Sequence, residues 1–267
     1  MYKPITKVGI DGSDWLINGE PTYKGMMFDD ISVEGLLLNS RMANGIFDDI
    51  NPFTRDLWAY PDTGVWDPQR NTDEMTKMFP IYWKYGLRAV SVNIQGGSPL
   101  GYYRDEDLWI RELVSRVKEH HPTATAGDIW NGLSGREVQP WNSGGLACSG
   151  KILPEAQSRL QKVIEEADKA GLIVCLGLFY FGQDNRISGE KEIHFAVMST
   201  CEWILDNGYA NVIIEINNET DVPKYSHEIL RPTRVQELIE EAKQVRSGGS
   251  GLLVGTSFTR RQLPTRK

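Results

Sequence analysis

The chain has 267 residues, 40% of them hydrophobic and 24% charged, with a formal charge of −7. That profile suits a globular protein with one large domain or two small ones. The acidic balance argues against nucleic-acid or anionic-membrane partners, which need a basic face, and no run of about 18 apolar residues is present to span a bilayer.

"KVGIDGSDWLINGEPTY" (7–23) predicts two short strands, with hairpin signals at Asp11-Gly12 and Asn18-Gly19. "YKGMMF" (23–28) follows as a further strand and is taken as the first of a parallel series. Residues 29–70 are irregular, rich in Asn, Asp, Pro and Gly, and carry aromatics that argue against disorder. A helix is expected from Asn71 or Thr72 to Tyr85, stopping at Gly86, and then a strand over "LRAVSVNIQ" (87–95).

Residues 103–137 form an insertion after that second strand. Within it, 105–121 predicts a helix with Leu108, Ile110, Leu113, Val114 and Val117 as its stripe. The rhythm then resumes with a helix over 154–171, a buried strand over 172–181 and a helix over 191–208. A strand over 211–217, a helix over 232–246 and a strand over 251–258 complete it. Helix, glycine and apolar strand recurring in this order mean parallel strands joined by helical crossovers.

Two architectures fit, a (β/α) barrel and an open doubly wound sheet. No GxGxxG or GxxxxGK[ST] turn follows a strand, which removes the usual dinucleotide and phosphate loops. The expected fold is therefore α/β, of the (β/α)8 TIM-barrel type, with an N-terminal β-hairpin. About five βα units can be counted in one domain over 1–267.

The strand "NVIIEINNET" (211–220) carries the most chemistry. Ile213, Glu215, Asn217 and Glu219 share one face by strand parity. Glu219 falls at the carboxyl end, where barrel enzymes place catalytic side chains. Glu215 lies two steps deeper and needs a partner if buried, with Arg88 as a candidate. On spacing alone, Glu219 reads first as a loop carboxylate that caps or forms an ion pair.

Asn-Glu closing a fourth strand resembles the acid/base motif of the clan A glycoside hydrolases, the retaining (β/α)8 enzymes typified by family 5 cellulases and mannanases. "WLINGEPTYKGMMFDD" (15–30) resembles the opening of those enzymes. "QGGSPLGY" (95–102), "QPWNSGG" (139–145) and "GLFYFGQDNR" (177–186) sit at or just after strand ends in the same order. The resemblance implies an O-glycosyl hydrolase acting on a polysaccharide or oligosaccharide. Glu219 would be its general acid/base and Asn218 would bind the sugar 2-hydroxyl. Trp141, Tyr180, Gln95 and Gln183, on rim segments, would line the substrate. The Arg and His that many relatives carry at the second and third strand ends are absent.

The resemblance also implies a nucleophilic carboxylate on a seventh strand. Only five strands are counted before "SFTRRQLPTRK", so strands six to eight and the nucleophile are expected to be missing from this chain, as in a truncated gene. No metal and no cofactor are expected. "HHPT" (120–123) lacks further ligands at suitable spacing, and Cys148, Cys175 and Cys201 form no CxxC pair and are expected to be reduced thiols. The N-terminus shows no apolar leader, which leaves the protein intracellular or a secreted one whose leader is lost. The alternatives to an enzyme of this kind are a noncatalytic carbohydrate-binding barrel relative, an inactive fragment, or a barrel acting on a phosphorylated metabolite. Aromatics in the loops, such as Trp58, Tyr60 and Trp66, suit either sugar stacking or plugging of a barrel end.

Overall fold

The computed structural model describes residues 2–98, 106–130 and 139–259. It begins with a three-stranded antiparallel sheet, β1 (Val8–Asp11), β2 (Asp14–Ile17) and β3 (Glu20–Pro21). The Asp-Gly and Asn-Gly turns fall between these strands, with Asn18 at φ 55°. A two-residue ribbon follows, β4 (Met27–Phe28) paired with β5 (Ile31–Ser32).

This ribbon corrects one expectation. Residues 23–28 do not start the parallel sheet. Tyr23 and Gly25 take left-handed backbone at φ 53° and 68°, which breaks any extended run there. The first parallel strand is instead β6 (Asn39–Arg41). It pairs with β7 (Ala89–Asn93), which pairs with β8 (Ile173–Phe179), then β9 (Val212–Asn217), then β10 (Leu253–Gly255). All four pairings are parallel, and the strand order follows the chain order.

The predicted 71–85 helix divides into α1 (Pro68–Lys77) and α2 (Phe79–Lys84). Asp67, not Asn71 or Thr72, is the cap: its carboxylate accepts from the Arg70 amide at 2.9 Å. Pro80 has no N–H to continue the α1 ladder, so α1 stops at Lys77 and a new helix starts after Met78. α3 (Glu106–His120) and α4 (Ala126–Ile129) belong to the insertion. α5 (Pro154–Ala170), α6 (Glu190–Asn207) and α7 (Val235–Gln244) are the crossovers. Gly171 and Gly208 end α5 and α6 at φ 77° and 83°, the left-handed cap conformation.

The main core lies between this sheet and its helices. Val90, Val92, Val174, Leu176, Val212 and Ile214 face Leu160, Ile164, Val197, Ile204 and Leu238. The opposite parity of the same strands carries Asn39, Arg41, Ser91, Asn93, Cys175 and Glu215. Among the described residues, Ile10 and Trp15 of the N-terminal sheet line only the lower part of that second face. The N-terminal segment is tied to the amino ends of the strands, where the Val8 amide donates to the Ala210 carbonyl at 2.9 Å. A smaller core forms under the insertion from Leu113, Val117, Ile129, Trp130, Trp141 and Phe47. Leu113 and Val117 of the predicted α3 stripe are fully covered, whereas Leu108 is exposed. No described helix is long and apolar enough to cross a membrane.

Candidate functional site

The carboxyl ends of β7, β8, β9 and β10 bring together Gln95, Tyr180, Asn218, Glu219 and Ser257. Glu219 is half-buried and sits just past β9 with φ 51°. A glutamate in the left-handed region is disfavoured and persists only when its surroundings fix it. Here the fixing comes from the residues after β10. The Glu219 amide donates to Ser257 Oγ at 2.8 Å, and the Thr220 amide donates to the Ser257 carbonyl at 2.9 Å. The backbone of Glu219 is thus gripped on both sides, and its carboxyl is directed by a constraint that the local sequence does not display.

Asn218 is 1% exposed. Its Oδ1 accepts from Arg41 Nη2 at 2.6 Å, and its backbone carbonyl accepts from the Tyr225 hydroxyl. Its Nδ2 is buried without a hydrogen-bond partner. The side chain is therefore oriented by Arg41 with its two donor hydrogens uncommitted. Arg41, on the first strand of the sheet, takes the place foreseen for Arg88 as the cation near Glu215. Arg88 itself lies over the Trp83 ring at 4.7 Å and donates to the Trp83 carbonyl at 3.0 Å.

Glu215 points to the second face of the sheet, near Ser257, Arg41 and Glu219. Burial raises its pKa above the ordinary glutamate range, with the negative charge of Glu219 acting in the same direction; the Ser257 hydroxyl and Arg41 oppose the shift. The folded chain therefore holds this proton more tightly than the unfolded chain. The stability so gained is full below the unfolded value near 4.5 and is lost as pH rises through the higher folded value. Glu215→Gln, isosteric and uncharged, is expected to raise Tm at about pH 8 and to leave it unchanged at about pH 4. Thermal melts at both pH values check this; an equal shift at the two would show that ionisation is not the cause.

Asn39, Arg41, Ala43, Ser91, Asn93, Glu215, Asn218 and Ser257 surround a cavity of about 220 Å³. Between Asn93 and Glu215 in the sheet register lies Gly177. A Cβ there would come within 2.4 Å of Asn93 Nδ2 and 3.3 Å of Glu215 Oε2. The absence of a side chain at Gly177 is what lets the amide and the carboxyl approach each other across β8.

The other four residues expected to line the substrate are placed differently. Gln95, Trp141, Tyr180 and Gln183 are 3%, 1%, 2% and 0% exposed. The Tyr180 amide donates to Gln95 Oε1 at 2.8 Å, and Gln183 Nε2 donates to the Trp141 carbonyl at 2.6 Å. The Trp141 indole donates to Gln139 Oε1 at 2.6 Å. These side chains tie the loops after β7 and β8 to the 139–145 segment. They are the frame of the rim, not its contact surface. Arg41, Asn93 and Ser257 belong to the site and were not singled out from the sequence. The short polar text "NSR" could have shown Arg41 only by its position ahead of a regular βα unit.

Among the described residues no group of His, Cys, Asp and Glu could hold a metal ion. The three cysteines are free, and burial pushes the thiols of Cys175 and Cys201 up to about 11 and about 12, away from nucleophilic use at neutral pH. Comparison with known proteins gives no match to a family model, to a curated protein or to a solved structure.

Proposed function

We propose that this chain carries the acid/base side of a retaining O-glycosyl hydrolase on a (β/α)8 barrel of the clan A, family 5 cellulase-like kind. The observation that carries the reading is the placement of Asn218-Glu219 past the fourth strand of a parallel sheet, with Glu219 fixed in left-handed backbone by Ser257. Two features of the fold support the barrel. Strand order follows chain order, so there is no reversal of the kind that makes the ligand crevice of a doubly wound sheet. The crossover helices α5, α6 and α7 all pack on one face.

In this reading Glu219 protonates the glycosidic oxygen as the bond to the anomeric carbon breaks. As a carboxylate it then takes a proton from the incoming water. Asn218 donates from its uncommitted Nδ2 to the 2-hydroxyl, a contact that strengthens toward the oxocarbenium-like transition state. The second carboxylate must stand across the anomeric carbon. Glu215 shares a strand with Glu219 and so lies on the same wall; the nucleophile is not taken from it.

Calorimetric titration with cello-, manno- and xylo-oligosaccharides tests the reading. At least one series is expected to bind, with Kd rising about tenfold in Asn218→Ala, the equivalent of about 1.4 kcal/mol. Turnover of aryl β-glycosides by this chain is expected to be slight. No binding across the panel would sink the glycoside reading. Strong turnover abolished by Glu219→Gln would instead show that no further carboxylate is needed.

A further inference from the structure

Resting on the glycoside reading above, we propose that Asp184 is a positioning residue: acting through the loop after β9, it holds the peptide that joins Asn218 to Glu219, and with it the places from which both side chains reach a substrate. Asp184 opens the short helical turn Asp184–Arg186 beyond β8 and has no exposed surface. Its Oδ2 accepts from the Ser226 amide at 2.7 Å and from the His227 amide at 3.2 Å. Its Oδ1 is buried without a partner, so the carboxyl serves those two amides. Arg231 donates from Nε and Nη2 to the Tyr225 carbonyl at 3.2 and 2.8 Å. The peptide between Tyr225 and Ser226 is therefore held at its N–H by Asp184 and at its carbonyl by Arg231. That grip places the Tyr225 ring, which is buried and edge-on to Phe181 with centroids 6.1 Å apart.

A second gripped peptide stands one step further on. The Tyr225 hydroxyl donates to the Asn218 carbonyl, and the Glu219 amide of the same planar unit donates to Ser257 Oγ at 2.8 Å. On its sheet side Asn218 is fixed by the Phe179 carbonyl, which accepts from its amide at 3.1 Å, and by Arg41 on Oδ1 at 2.6 Å. On its loop side it is fixed by Tyr225. The loop-side grip matters because Glu219 stands at φ 51°. Left-handed backbone is disfavoured for a glutamate, so this turn keeps its shape only while it is held from outside and relaxes when one end is released. A displacement of about 1 Å is enough to spoil contacts at a reacting centre. Asp184 touches neither Asn218 nor Glu219. It acts on them through two gripped peptides and one tyrosine in series.

The experiment follows the Glu219 amide signal of the ¹⁵N-labelled chain, beside the oligosaccharide titration above. In Asp184→Ala and in Tyr225→Phe the signal is expected to move, and its amide-to-Hα coupling, which reports φ, to change with it. Kd is expected to rise about fivefold in each, less than in Asn218→Ala because the effect passes through that residue. The variant carrying both changes is expected to match Tyr225→Phe alone, since the two residues lie in series. Asp184→Asn keeps an oxygen for the Ser226 and His227 amides and is expected to restore the signal and the Kd. Asp168→Ala, at the amino ends of the strands, is expected to leave the Glu219 signal in place, which separates positioning from loss of stability. Tyr225→Phe keeps its ring against Phe181 and decides the matter if Asp184→Ala does not fold. An unmoved Glu219 signal in the folded variants overturns the proposal, as does an unchanged Kd where oligosaccharides bind. Equal shifts in Asp168→Ala, or effects of Asp184→Ala and Tyr225→Phe that multiply, also overturn it. If the signal moves as expected and no oligosaccharide binds the parent chain, the grip on the peptide stands and the glycoside reading falls.

Discussion

Asp168→Ala is expected to lower the unfolding free energy by about 3 kcal/mol. Asp168 lies in the last turn of α5 with no exposed surface. Its carboxylate accepts from the Thr6 amide at 2.8 Å, the Ile5 amide at 3.1 and 3.2 Å and the Tyr2 hydroxyl at 3.0 Å. Thr6 Oγ1 returns a bond to the Asp168 carbonyl at 2.7 Å. This side chain fastens the N-terminal segment to α5, beside the bond of the Tyr2 amide to the Asn207 carbonyl at the end of α6 at 2.9 Å. Hydrogen bonds to a charged group contribute about 1.5–3 kcal/mol each, less than additively, and loss of the acceptor strands the buried Thr6 donor. For a chain of this size each kcal/mol is about 2–4 °C in Tm, so a fall of roughly 6–12 °C is expected. Tyr2 gives a second readout. Burial and the bond to Asp168 raise its phenol to about 12, and in the variant it should titrate closer to the ordinary 10.0. A loss under about 1 kcal/mol in urea melts would mean that the segment is held by other contacts.

Part of the fold was legible in the sequence. The crossover helices were, because Leu160, Val163, Ile164 and Ala167 recur at helical spacing and Gly171 marks the stop. β8 and β9 were, because their helix-facing positions must be apolar to fill the core. β6 was not. It has three residues, and its inward positions Asn39 and Arg41 are polar because they face the cavity. A strand that is polar at both cavity-facing positions lacks the apolar pattern by which strands are recognised, so β6 and its Arg41 were missed together. The end of β9 was legible, but Glu219 lies two residues past it, where left-handed backbone and not strand parity sets its direction. What holds Glu219 could not be read, since Ser257 is 38 residues away in the chain. The four rim residues failed for another reason. An aromatic or amide in a loop has the same letters whether it faces a ligand or knits two loops together, and here Gln95 and Gln183 knit.

Asp49 is where that knitting meets the irregular 29–70 stretch, and Asp49→Ala is expected to cost about 4 kcal/mol, with the damage confined to the rim. Asp49 has no exposed surface. Its Oδ1 accepts from the Asn51 amide at 2.9 Å and the Asn142 amide at 2.9 Å; its Oδ2 accepts from Thr54 Oγ1 at 2.7 Å and the Trp58 indole at 3.1 Å. One carboxyl thus joins the 49–58 turn to the 139–145 segment. Burial raises its pKa while these four bonds pull the other way. Truncation leaves four donors without their acceptor, two of them backbone amides, which sets the expected size. Asp49→Asn separates charge from geometry. Its oxygen can keep the two amides and its Nδ2 can donate to Thr54, but Nδ2 then faces the Trp58 N–H, donor against donor. A loss of roughly 1–2 kcal/mol is expected for it, about the cost of one unsatisfied buried group. Hydrogen exchange separates a local from a global effect. Amides near 49–58 and 139–145 should exchange faster in Asp49→Ala while those of β8 and β9 keep their protection relative to the new global stability. Uniform acceleration across β8 and β9 as well would place Asp49 in the global folding unit, and the rim would then not be a separable element on which a substrate loop can vary.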